Sequence, residues 1–309
     1  MDKRRIILDV DTGHDDAVAI ALAAGLKDKI TIDGLIATAG NQIREKTLKN
    51  TLNLAEALDL DCPVFRGSPM PLLRKQVVAG YIHGKSGFDG PVFPPRKKQE
   101  CKGNGIRWAL DHVINNPGEI TFVSVGPWTD LATCIKADER FAPSLKEIVL
   151  MGGAVDVPGN VTCSAEFNVF ADPEAAQIVM QCGAPITMMG LDVTLQLKLT
   201  DEIMSEVRAM KDSTYKKIFL DSMNFYIPSL IQANGEMPAM HDPCCIAYLA
   251  DPSIFTFSYR PIVVETKGDS TYGKTTGGLE DRSQNTKFGI KADKDKFWAL
   301  FLSAIKTLK

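Results

Sequence analysis

The chain has 309 residues, 45% of them hydrophobic and 24% charged, with a net charge of -3 at pH 7. That length allows a large buried core, and that charge excludes an electrostatic drive toward nucleic acid or an acidic membrane surface. Seven cysteines are scattered without a Cys-x-x-Cys pair, which argues against a disulfide framework or zinc knuckle and for a reducing cytoplasm.

Residues 6–10 read as a buried strand. The apolar run there is too short for a secretory leader, and no later run is long enough to span a bilayer. A helix is expected at 15–26, a strand at 30–37 and a helix at 45–58. Further strands are expected at 120–125, 147–151 and 185–189, with helices at 103–115, 128–136 and 172–181. Residues 201–233 read as helical throughout, and 293–308 as a closing helix. Strands alternating with helices predict an α/β fold: a mostly parallel, open Rossmann-like sheet with helices on both faces. With no repeat or linker, residues 1–309 are expected to form a single domain.

In such sheets ligands bind beyond the carboxyl ends of the strands. The strand-end segments here are rich in Asp, Asn and Gly. The first, Asp9-Val10-Asp11-Thr12-Gly13-His14-Asp15-Asp16, carries four carboxylates. One Asp satisfies a helix cap; four repel one another unless a cation is present. A haloacid-dehalogenase-type magnesium phosphatase, with Asp9 as nucleophile, is the main competing enzyme class. It leaves Asp15 and Asp16 without a role, and after Gly268-Asp269 the next acidic residue is Glu280. The run from Gly268 to Thr275 also fits the phosphate-loop pattern, but Thr276-Gly277-Gly278-Leu279-Glu280-Asp281 is a poor helix, so a turn between strands is expected. Singly, His83 in its Gly-rich loop, Glu166 and Asn168 before the 172 helix, and His241-Asp242-Pro243 admit bland readings as surface or capping residues.

Together these segments resemble the inosine-uridine-preferring nucleoside hydrolase family over essentially the whole chain. The resemblance is carried by Asp9 through Ala17, Ala39-Gly40-Asn41, Ile82-His83-Gly84, Val125-Gly126-Pro127, Leu150-Met151-Gly152-Gly153, Glu166-Phe167-Asn168, Asp172-Pro173-Glu174-Ala175-Ala176 and His241-Asp242-Pro243. It implies hydrolysis of the N-glycosidic bond of a ribonucleoside to ribose and free base, in nucleoside salvage. It also implies a calcium ion held by Asp11, Asp16, Asp242 and the main-chain carbonyl of Val125. Asp11 would activate the attacking water. Asp15, Asn41, Met151, Asn160, Glu166 and Asn168 would hold the ribose, and Asp9 would support the motif from behind. His241 and His83, with imidazole pKa values near neutrality, would be candidates to protonate the leaving base. A homodimer or homotetramer is implied, with no nucleic-acid or membrane partner.

The likeness is greatest to the pyrimidine-preferring branch, through Gly40-Asn41-Gln42, Ala165 to Phe170 and Asn285-Thr286-Lys287. That branch carries Gln and Tyr on the helix before the His-Asp pair, where Leu230 and Asn234 stand here. Thr12 replaces a frequent Pro, and Asp130 a usual Asn. A non-catalytic nucleoside-binding protein is a further alternative; it would require loss of Asp11 or of a metal ligand, and none is lost.

Overall fold

The computed structural model describes residues 3–277 and 286–309; Asn285 and the segment from Gly278 through Glu280 and Asp281 lie outside the described residues. In chain order the elements are β1 (Arg4–Val10), α1 (His14–Gly25), β2 (Ile30–Ala37), α2 (Arg44–Ala57), β3 (Val64–Arg66), α3 (Gly80–His83), α4 (Gly105–Ile114), β4 (Ile120–Ser124), α5 (Thr129–Ala137), α6 (Phe141–Ser144) and β5 (Glu147–Met151). They continue as α7 (Phe167–Ala171), α8 (Pro173–Met180), β6 (Ile186–Met189), α9 (Leu191–Thr194), α10 (Asp201–Ala209), α11 (Thr214–Asn234) and α12 (Pro243–Ala250). The last are β7 (Phe255–Arg260), β8 (Ile262–Val264), β9 (Thr275–Gly277), β10 (Thr286–Ala292) and α13 (Lys294–Ile305).

Among the described residues, eight strands form one sheet in the order β3-β2-β1-β4-β5-β6-β10-β7, and β7 alone runs antiparallel to its neighbour. The first six strands follow the doubly wound order, in which the direction of growth reverses beside β1. Both faces of the sheet are covered. On β1, Ile6, Leu8 and Val10 enter one apolar cluster with α1, α11, α12 and α13, while Ile7 enters the other with α4, α5 and α8. This period-two division explains why β1 reads as an unbroken apolar run. Asp9 pairs with Ile36 on one side and Ser124 on the other, so the acidic segment leaves the sheet at the switch point between β1 and β4.

Local chemistry sets the helix ends. The Asn104 side chain accepts from the Ile106 and Arg107 amides, so α4 begins at Gly105 rather than at the expected 103. Asp172 accepts from the Ala175 amide, with Pro173 in the first helical position of α8. The expected continuous helix over 201–233 is instead two. Met210 turns to extended backbone after α10, and the Ser213 hydroxyl caps α11 by accepting from Lys216 N. A serine that bonds a forward amide competes with continuing the preceding helix. The phosphate-loop-like run connects β8 to β9 in an antiparallel hairpin, and Thr275 starts a strand; the turn reading is correct. No helix among the described residues is long and apolar enough to cross a membrane.

Candidate active site

The segment after β1 folds back on itself through Asp16. Its Oδ1 accepts from Asp11 N at 3.0 Å and its Oδ2 from Gly13 N at 2.9 Å, which caps the start of α1. Asn41, in the loop after β2, donates its side-chain amide to Asp16 Oδ2 at 3.1 Å and its main-chain N–H to Asp11 Oδ2 at 2.7 Å. Gly40 permits that approach: a Cβ there would lie 2.1 Å from Asp11 Oδ2. Asp242, at the start of α12, makes no side-chain cap; its carboxylate joins Asp15 and Asp16 instead. Among the described residues, oxygens of Asp15, Asp16 and Asp242 lie within 4.8 Å of one another, all buried.

Such crowding is electrostatically costly. Burial, then neighbouring carboxylates, push Asp11 and Asp242 well above the usual carboxylate range. The same causes raise Asp15 to about 8, and burial raises Asp16 against its amide hydrogen bonds. A cation among them would favour the ionised forms that burial and mutual repulsion disfavour. An all-oxygen donor set of buried carboxylates fits a hard divalent cation.

Asp11, Asp15 and Asp242 open into a cavity of about 200 Å³ that also includes Asn41, Val125, Met151, Asn160, Glu166, Asn168, His83 and His241. The structure thus gathers every sequence-predicted site residue at one cavity except Asp16, which lies behind Asp11. A larger groove, about 970 Å³, runs between Val92, Arg96 and the start of α11 but contains none of them. We assign the site by convergent chemistry rather than by size.

Several predicted contacts are already committed within the protein. The Asn168 amide donates to Val125 O at 2.7 Å and to Met151 O at 3.2 Å. A carbonyl has two lone pairs, so Val125 O keeps one for a further partner. Glu166 does not cap the helix near Asp172, as its position suggested; it caps α7 and also accepts from Gly153 N at 2.8 Å. Burial nevertheless raises its pKa. Asn160 is exposed at the mouth and accepts from Phe167 N.

His83 is buried rather than a mobile surface residue, at 6% exposure. His241 Nδ1 lies 2.8 Å from the Thr194 hydroxyl. Both imidazoles depart from the near-neutral value expected. Burial lowers His241 to about 4, and burial with the His14 and His241 rings takes His83 well below its ordinary range. Tyr226 was missed by sequence reasoning. It lines the cavity from α11 and stacks on His14 at 4.5 Å, and its phenol pKa rises through burial and through Asp15 and Asp242. A Tyr inside a long helical run carries no distinguishing sequence signal. Leu230 and Asn234, one and two turns further along, line the same wall.

Behind the site, Asp9 is fully buried and accepts from the Ser124 hydroxyl at 2.8 Å, while Asp130 accepts from Ser68 N at 2.7 Å. Asp9 Oδ1 and Asp130 Oδ2 have no other donor, and the two carboxyls are in hydrogen-bonding contact. A proton shared between them would satisfy both oxygens, and burial raises both pKa values. A carboxyl whose folded-state pKa is raised stabilises the fold at low pH, and the contribution is lost as pH rises through the folded pKa. Asp130→Asn supplies a donor that does not titrate. It is expected to gain thermal stability over the parent as pH increases above the ordinary carboxylate range, by about 1–3 kcal/mol at the alkaline end. Melting curves from pH 5 to 9 check this, and parallel pH profiles for the two proteins would rule out the shared proton.

The family model described as inosine-uridine preferring nucleoside hydrolase matches residues 6–299. The pyrimidine-specific ribonucleoside hydrolase RihB of Escherichia coli (strain SE11) is 39% identical over 310 residues, covering 99% of this chain and 98% of that protein. Among solved structures, the purine-preferring ribonucleoside hydrolase from Gardnerella vaginalis superposes with a TM-score of 0.91 at 30% identity, covering 98% of both chains. A plant nucleoside hydrolase also gives 0.91, at 28% identity and 99% coverage of both. With a family model matching nearly its full length and a relative this similar, the chain belongs to the inosine-uridine preferring nucleoside hydrolase family and is an N-glycosyl hydrolase.

Proposed function

We propose that this protein hydrolyses the N-glycosidic bond of ribonucleosides to ribose and free base, with calcium as its metal, in cytoplasmic nucleoside salvage. One observation carries the reading: a buried carboxylate cluster and two imidazoles share a single small cavity. Asp11, Asp16, Asp242 and the Val125 carbonyl would hold the ion, and Asp15 lies close enough to Asp16 and Asp242 to contribute. When bound, calcium supplies positive charge that lets the cluster ionise, lowers the pKa of water in its shell and anchors hydroxyls.

The chain's own groups do the remaining work. Asp11 takes a proton from the attacking water. Asp15, Asn41, Met151, Asn160, Glu166 and Asn168 orient the ribose, and their carboxylates and amides favour the oxocarbenium-like sugar of the transition state. His241 and His83 face the leaving base. Buried and neutral, each can offer an N–H to it. Pyrimidine ribonucleosides are the favoured substrates, as the RihB relatives suggest, although Leu230 and Asn234 stand on this wall in place of the Gln and Tyr of the pyrimidine-preferring branch. Base release from uridine, cytidine, inosine, adenosine and guanosine tests the preference. The whole chain would act as one catalytic domain, in a homodimer or homotetramer. The phosphatase alternative is disfavoured, because Asp9 is sealed behind the cavity by Ser124 and Asp130.

Metal removal is the direct test. Exhaustively chelated protein is expected to lose essentially all turnover and to recover it with calcium. Calcium affinity, by titration calorimetry, is expected to fall as pH is lowered, because the ion must displace protons from carboxyls whose pKa values are raised. Full activity in protein shown metal-free by elemental analysis would overturn the reading.

A further inference from the structure

The hairpin of β8 and β9 stands outside the main sheet, and the phosphate-loop-like run from Gly268 leads through its turn to Thr275. Thr275 is fully buried. Its Oγ1 accepts from Ala154 N at 2.8 Å and donates to Ala154 O at 2.8 Å. A hydroxyl has one proton and two lone pairs, so one side chain serves both groups. The same side chain packs on the preceding residue: a Cβ on Gly153, whose φ is +80°, would lie 3.0 Å from Thr275 Oγ1. Nearer the turn, Gly273 sits against α7, where a Cβ would lie 3.0 Å from Phe170 Cα and 3.3 Å from Ala165 Cβ. The Tyr272 hydroxyl donates to Glu174 Oε1 at 2.6 Å and ties the turn to α8.

These contacts bracket Glu166. Its Oε2 accepts from Gly153 N at 2.8 Å and Val169 N at 3.2 Å, and its Oε1 from Asn168 N at 2.9 Å. A carboxylate offers about four lone-pair sites, so one on Oε1 is left for a ligand in the cavity that Glu166 lines. Asn168 and Val169 belong to α7 and move with it. Gly153 N is the donor that ties the carboxylate to the turn after β5. That turn is gripped from two sides: Leu191 N donates to Gly153 O at 2.8 Å, and Thr275 holds Ala154 from the hairpin. Releasing one grip lets the turn tilt about the other.

We propose that Thr275 is a positioning residue for the sugar side of the site: by holding Ala154 at both its amide and its carbonyl, it fixes Gly153 N, and through it the direction in which the Glu166 carboxylate faces the cavity. The proposal rests on the reading of Glu166 as a group that orients the ribose. Thr275 lines no part of the cavity, so it acts only through this turn.

The test uses the calcium-loaded protein. Thr275→Val keeps the side-chain shape and puts a methyl group where the hydroxyl served Ala154. Without substrate, hydrogen exchange at the Gly153 and Ala154 amides is expected to quicken about 10-fold or more, and to return toward the parent rate in Thr275→Ser. With uridine, kcat/KM of Thr275→Val is expected to fall about 10-fold or more, and Thr275→Ser to recover most of that loss. In a Glu166→Ala background no carboxylate is left to position, so the same change should cost about twofold or less. Calcium affinity should match the parent's, because Asp11, Asp16 and Asp242 stand on the β1 loop, α1 and the start of α12. Unchanged exchange in Thr275→Val, an undiminished loss in the Glu166→Ala background, or weakened calcium binding would overturn the proposal. Failure of the Glu166 reading looks different: Glu166→Ala would then turn uridine over at the parent rate, which overturns the proposal at its premise while exchange still quickens in Thr275→Val. Should Thr275→Val not fold, Thr275→Cys, whose thiol is a weak donor and acceptor, is read in the same assays.

Discussion

Asp11→Asn is expected to fold normally and to lose about 10³-fold or more in kcat on its best ribonucleoside, within the range of general base catalysis. The carboxylate sits beside Asp16 at full burial, and its raised pKa reflects burial first and Asp16 second. An amide of the same shape can still accept from Asn41 N, now at 2.7 Å from Asp11 Oδ2, so the loop geometry should survive. It also removes one like charge from the cluster, so thermal stability in the metal-free state should be retained or increased. On the proposed roles of Asp11, proton uptake from water would be lost, and with it a negative charge toward the cation. Asp9→Asn makes the informative comparison. Asp9 has no exposure and contacts Ser124 and Asp130, not the cavity, so a milder loss is expected. Steady-state rates for both variants check the ordering. An active Asp11→Asn protein with an inactive Asp9→Asn protein would show that Asp11 is not the base.

Deoxyuridine is expected to be turned over with a kcat/KM about 10⁴-fold below that of uridine. The argument is one of unpaired groups. The cavity floor is made of buried carboxylates, with Asp15 raised to about 8 by burial and by Asp16. On the proposed reading, such groups would be satisfied by the hydroxyls of a bound ribonucleoside and by the cation. A substrate without the 2′-hydroxyl leaves a buried acceptor facing hydrogen. Sites built around a hydroxyl reject its absence by about 10⁴-fold, far more than an apolar pocket rejects a missing methylene. Base release from the two substrates under identical calcium concentration gives the ratio directly, and comparable values would show that the 2′ position is not bound by this floor.

The α/β alternation, the central strands and the acidic loop were legible because local pattern and tertiary role coincide. Ile6 to Val10 reads apolar because both sheet faces are covered, and Asp11, Asp15 and Asp16 crowd within one loop whatever the rest of the chain does. The edge elements were not legible. β3 has three residues, and β7 is a partly exposed antiparallel strand whose pairing with β10 is set by contacts distant in sequence. The break between α10 and α11 turned on one serine hydroxyl choosing a forward amide.

At the site, the sequence by itself determined which carboxylates and imidazoles exist and, through strand ends, roughly where they meet. Only the tertiary structure decided their partners. It set Asp242 among Asp15 and Asp16 from across the chain, paired Asp9 with Asp130, and committed Glu166 and Asn168 to backbone groups. It also decided their ionisation: His83 and His241 fall below neutrality and the aspartates rise because burial, absent from any sequence pattern, penalises every charged form. His14 shows the division most sharply. In the sequence it is one residue of an acidic motif; its partners, Asp89 and His83, lie about seventy residues away and reach it only because the loop after α3 folds over the start of α1.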